Sequence, residues 1–134
     1  MGAFHRAGRE RVNVFPVGGD YCFRHYVSEE AFEALGRYYR RDQYRFEVPG
    51  GRFGEVAAVL EEHGYDPVVV DAIEPYAVVK RKYTNHPRVL FSASVLHRSA
   101  GRFNCFVLRD HEAVREAVEA GATPLAEADV DIEF

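Results

Sequence analysis

The apolar residues of this chain change their spacing along its length, and each change of period limits what that segment can become. Val12–Val17 (VNVFPV) and Tyr21–Val27 (YCFRHYV) read as two strands. Gly18-Gly19-Asp20 between them suits a hairpin loop, and Pro16 assigns the first strand to a sheet edge. Ser28 then stands where a helix cap belongs, and Ala31, Phe32, Leu35, Tyr38 and Tyr39 follow at helical spacing, with an end expected near Arg40 and Arg41. Tyr44–Val48 alternates apolar and charged, as a half-buried strand does. Phe53, Val56, Ala57, Val59, Leu60 and His63 share a second helical face closed by Gly64, and the apolar run Pro67–Asp71 predicts a buried strand. Tyr44 to Asp71 therefore reads as a β-α-β unit.

From Pro75 onward the pattern is strand-like. Tyr76–Thr84, Arg88–His97 and Arg102–Arg109 are three long runs whose short connectors predict an antiparallel meander across 75–109. Asp110 caps a third helix that turns Ala113, Val114, Ala117 and Val118 inward and stops at Gly121. Ala128–Phe134 alternates acidic and apolar residues, the mark of a strand with one wet face. The expected fold is α+β in the order β-β-α-β-α-β-β-β-β-α-β, with three helices on a mixed, mostly antiparallel sheet. We read residues 1–134 as a single domain built from two subdomains that share this sheet, with a mobile polar start over 1–10.

Composition excludes several classes. With 47% hydrophobic and 28% charged residues the chain is far from the disordered regime. No apolar run approaches the roughly 20 residues of a membrane-spanning helix, and the start carries no apolar leader block, so a cytoplasmic location is expected. Cys22 and Cys105 lie far apart with no CxxC pair, the usage of buried thiols.

The net charge of −4 conceals a strong asymmetry. Between Pro75 and Arg109 stand seven basic residues, Lys80, Arg81, Lys82, Arg88, Arg98, Arg102 and Arg109, and no acid. Phe53–Glu74 carries six acids without a Lys or Arg, and Asp110–Phe134 carries eight acids against Arg115 alone. In one reading the acidic strand containing Asp129, Asp131 and Glu133 pairs with a basic strand and sets its register. In the other, Lys80, Arg81 and Lys82, interleaved with Tyr76, Tyr83, Phe91 and Phe103, present a cationic aromatic face to phosphates and bases.

Candidate chemistry is sparse. His25, His86 and His97 lie beside Arg24, Arg88 and Arg98 in the sequence. A metal-independent ribonuclease needs a base, an acid and a cation, roles that His86, His97, Lys82, Arg98 and Tyr83 have the chemistry to fill. In the expected meander, however, His86 and His97 sit at opposite ends of one strand, about 30 Å apart at the usual rise. No metal-ligand spacing appears and no cofactor is implied. The glycine doublets at 18–19 and 50–51 lack phosphate-loop spacing and read as turns.

The favoured function is a non-enzymatic binding module, contacting nucleic acid or an acidic protein through Lys80, Arg81, Lys82, Tyr83, His86, Arg88, Arg98 and Arg102. The rivals are a metal-independent phosphodiester-acting enzyme using His86, His97 or His25, and a subunit or dimerising module, such as a homodimer, in which acidic and basic strands meet between chains. No membrane partner is expected.

Overall fold

The computed structural model describes residues 8–134, so the start read as mobile lies largely outside the described residues, with His5 in it. The chain divides into two compact units, with the boundary between Asp71 and Ala72. The α+β class stands. The single shared sheet does not: the first unit has a five-stranded sheet and the second a four-stranded one.

In the first unit β1 (Glu10–Val17) turns at Gly18 and Gly19, with φ of 58° and 89°, into β2 (Asp20–Phe23). The β2 ladder stops four residues before the expected Val27, which frees Arg24 to lie over the Tyr44 ring, 5.6 Å from its centroid. Ser28 caps α1 (Glu29–Leu35), its hydroxyl accepting from the Ala31 amide at 3.2 Å. The α-helix ends at Leu35 rather than near Arg40, because Gly36 opens a 3₁₀ turn and Tyr39–Arg40 forms a short strand, β3. β3 pairs with β4 (Arg45–Pro49), and a 3₁₀ turn over Gly50–Arg52 leads into α2 (Phe53–Glu62). Gly64, at φ 90°, then turns the chain into β5 (Tyr65–Val69).

The strand order is β3-β4-β2-β1-β5, antiparallel except where β5 runs parallel to β1. The β-α-β unit thus crosses two strands before it re-enters the sheet. Val12, Val14, Phe23, Phe46 and Val48 from the strands pack with Ala31, Leu35, Val56 and Leu60 from the helices.

The second unit places β6 (Ala77–Arg81), β7 (Ser94–Ala100), β8 (Phe103–Leu108) and β9 (Thr123–Pro124) in the order β7-β8-β6-β9. The expected meander is corrected here, since β8 lies between β6 and β7. The run 88–97 splits into α3 (Val89–Ser92) and the start of β7. A continuous apolar run suits either state; Leu90 and Ala93 settle it by filling the core from a helical turn opened by the Leu90 amide on the Pro87 carbonyl.

Asp110 caps α4 (His111–Glu119) as read from the sequence, accepting from the Ala113 amide at 2.8 Å. The carboxy-terminal strand does not form, and residues 128–134 have no ladder partner. The β6 edge is occupied first by Thr123–Pro124, whose proline cannot extend a ladder, and a 3₁₀ turn with Leu125 buried then leads the chain away. The described elements run β-β-α-β-β-α-β-β-α-β-β-α-β, in which α1, α2 and α4 are the three expected helices and α3 adds a single four-residue turn. No described helix is long and apolar enough to cross a membrane.

Two stability tests follow from the first unit. A Cβ at Gly50 would lie 2.6 Å from the Gly19 carbonyl oxygen, a backbone atom that cannot rotate away. Gly50→Ala should cost about 1–3 kcal/mol in denaturant unfolding, whereas Gly51→Ala, which meets nothing, should cost far less. The second test concerns Glu47, which accepts from Arg45 at 2.8 Å and pairs with Arg40 at 3.2 Å. The Arg45 hydrogen bond, opposed by burial and aided by both positive charges, holds this carboxyl below its ordinary 4.5. A lowered carboxylate stabilises the fold above its unfolded pKa and loses that contribution as pH falls through the folded value. Glu47→Gln should therefore lower the urea midpoint at neutral pH and flatten its fall below about pH 4.5.

Candidate functional site

The end of β6 and the β7–β8 turn gather part of the basic set. The Lys82 amide donates to the Arg102 carbonyl at 2.8 Å, one step beyond the strand, and Gly101 makes the opposing turn at φ 55°. Arg81, Lys82, Tyr83, Gly101 and Arg102 line an open depression of about 290 Å³. Tyr83 sits at its mouth at φ 64°, a conformation tyrosine rarely adopts, and its side chain is wholly exposed. The Thr84 hydroxyl fastens this turn by donating to the Arg81 carbonyl at 2.5 Å.

Beside this depression the antiparallel register sets Lys80 opposite Asn104 and Val78 opposite Phe106, while His97 faces Phe106 from β7. The His97 ring lies flat on Phe106, with centroids 4.6 Å apart and planes within 3°. His86 meets the same Phe106 edge-on at 5.9 Å. The two histidines are therefore neighbours about one ring, not about 30 Å apart as a meander would place them.

The Nδ1 of His86 faces the Thr84 carbonyl at 2.8 Å, which assigns the proton to that nitrogen. Nε2 then accepts from the Asn104 side-chain amide at 3.2 Å. Both ring nitrogens are engaged, which leaves His86 without the free lone pair of a general base. His25 belongs to the first unit, where it pairs with Glu10 at 2.7 Å and meets Tyr65 edge-on.

The remaining cations separate by face and position. Lys80 turns its ammonium toward the Gly121 carbonyl just past α4, 3.4 Å away. Arg98 folds onto the His97 carbonyl and lies near Cys105, on the opposite face of β7 from His97. Arg88 is exposed at the start of α3. Among the described residues, Arg109 alone of the seven makes an ion pair, with Asp110 at 3.7 Å. The expected pairing of Asp129, Asp131 and Glu133 with a basic strand is thus absent, because the acidic segment enters no ladder.

Both cysteines are buried thiols outside any disulfide. Burial, partly offset by Arg98, pushes the Cys105 thiol up to about 11, far from the range of a nucleophile. Among the described residues no group of three His, Cys, Asp or Glu side chains is placed to hold a metal. Of the aromatic residues picked out with the charges, Tyr76 is buried against His111 and leaves the surface set. Asn104 and Phe106 escaped the sequence reading; the one signal was a polar Asn in an otherwise strand-like run, where Asn is depleted.

Neither a family model nor a curated protein nor a solved structure matches this chain.

Tyr83 carries backbone strain and covers no core. Releasing the strain is worth about 1 kcal/mol, which the extra freedom of glycine in the unfolded chain offsets in part. Tyr83→Gly should leave the denaturant midpoint unchanged or raised, and a loss above about 1 kcal/mol would show that the ring supports the fold.

Proposed function

We propose that this chain is a non-enzymatic binding module that holds nucleic acid at the cationic end of its second sheet. One observation carries this reading: Arg81, Lys82 and Arg102 at this end, with Arg88 at the start of α3, pair with no carboxylate among the described residues, although the chain has more acids than bases. Cations left together without counter-charges create a local positive potential that phosphates neutralise, releasing condensed counterions. The adjoining exposed Tyr83 favours a ligand with bases over an acidic protein, since a ring face adds stacking that carboxylates do not use. The acids elsewhere on the chain confine the attraction to this end.

The ribonuclease reading has one observation in its favour, the shared Phe106 neighbour of His86 and His97. The engaged nitrogens of His86 weigh against it.

Fluorescence anisotropy with a labelled oligonucleotide across a salt series tests the proposal. Log affinity should fall linearly with log salt, by about 0.7–0.9 per phosphate contact, and the triple change Lys82→Ala, Arg88→Ala, Arg102→Ala should reduce the slope by about 2. Absence of binding at about 50 mM salt would overturn the proposal. Shortened oligonucleotide after incubation would favour the enzyme, and a mass that doubles at low salt in light scattering would favour self-association.

A further inference from the structure

The surface beside the cationic depression is built from rings. Phe106, only 2% exposed, forms its floor, with His97 flat on it and His86 and Phe91 edge-on to it at 5.9 and 5.8 Å. His86 and Phe91 lie nearly parallel to each other, 6.0 Å between centroids. Phe91 is 57% exposed although Leu90 next to it is fully buried, so α3 holds one apolar residue in the core and presents the other to water. His97 is exposed as well. Presenting a phenylalanine forgoes much of the stabilisation that its burial would bring.

Polar and charged groups border these rings. The Asn104 amide gives one N–H to His86, while its carbonyl oxygen and second N–H make no other bond among the described residues. Those two groups are what an asparagine uses to read the edge of a base. Arg88 precedes Phe91 by one helical turn, its carbonyl accepting the Phe91 amide at 3.0 Å, and Arg102 stands two residues before Asn104 on the β7–β8 turn.

We infer that this surface takes the unpaired bases of a single-stranded nucleic acid, stacked on Phe91 and His97, with the phosphates running toward Arg88, Lys82 and Arg102. The inference rests on the proposed nucleic-acid reading and narrows its ligand. A duplex keeps its base faces inside its own stack, so exposed protein rings gain nothing from it, whereas splayed single strands present a face at every base. Each stacked base contributes enough that removing its platform weakens binding by about tenfold.

The test compares three probes at one salt concentration, using the full chain: a labelled single-stranded RNA of about 15 nucleotides, the same RNA as a duplex, and heparin, a polyanion without bases. The single strand should bind at least about tenfold tighter than the duplex. Phe91→Ala and His97→Ala should each weaken single-strand binding by about tenfold and leave heparin binding unchanged, and Phe91→Tyr should restore it. Equal affinity for single strand and duplex, or full single-strand affinity in both alanine variants, overturns the stacking platform while heparin binding upholds the cationic site. If the unaltered chain binds none of the three, both readings fall. Should Phe91→Ala not fold by circular dichroism, His97→Ala decides, because its ring is exposed and only overlies one face of Phe106.

Discussion

The ladder between β6 and β8 governs everything on the functional side of this protein. Five consecutive pairings, from Ala77 with Val107 to Arg81 with Phe103, hold β8 as an interior strand with β7 on its other edge. Period-two alternation then does the rest: Val78, Lys80, His97, Asn104 and Phe106 share one face, and Arg81, Arg98 and Cys105 share the other. A slip of one residue would turn Phe106 out of the core formed with Leu90, Ala113 and Ala117 and would carry Asn104 away from His86. The buried face therefore holds the exposed site in register.

Unpaired cations at the end of that ladder cost the fold little. Arg81 and Arg102 remain hydrated, and a surface ion pair would return at most about 1 kcal/mol. Their grouping without carboxylates consequently demands no large sacrifice of stability, and neither does Tyr83 at its strained turn. The first unit shows the opposite arrangement, with Glu47 bound by Arg45 and Arg40, and His25 by Glu10. Those charges are matched within the first unit, while Arg81, Lys82 and Arg102 in the second meet no carboxylate among the described residues.

Local signals were legible wherever a residue's own chemistry decides the backbone. Ser28 and Asp110 cap helices as their side chains require, and Gly18, Gly19, Gly64 and Gly121 stand at positive φ where a turn needs it. The first α-helix stops short of its periodic pattern because Tyr38 and Tyr39 keep helical spacing yet pack against the core from a 3₁₀ turn and a strand. Burial, not periodicity, explains those apolar residues. The acidic alternation of 128–134 likewise forms no strand, since alternation describes a segment able to pair but says nothing of which edge is open to it.

The amino-acid sequence on its own determined the α+β class, the caps and turns, and the segregation of positive charge into 75–109, because each depends on residues near one another in the chain. Tertiary structure alone decided that β8 lies between β6 and β7, that Pro124 closes the edge expected to receive the acids, and that His86 and His97 meet at Phe106. Those outcomes are set by competition among distant segments for the same ladder and the same core, and such a competition leaves no mark in local spacing.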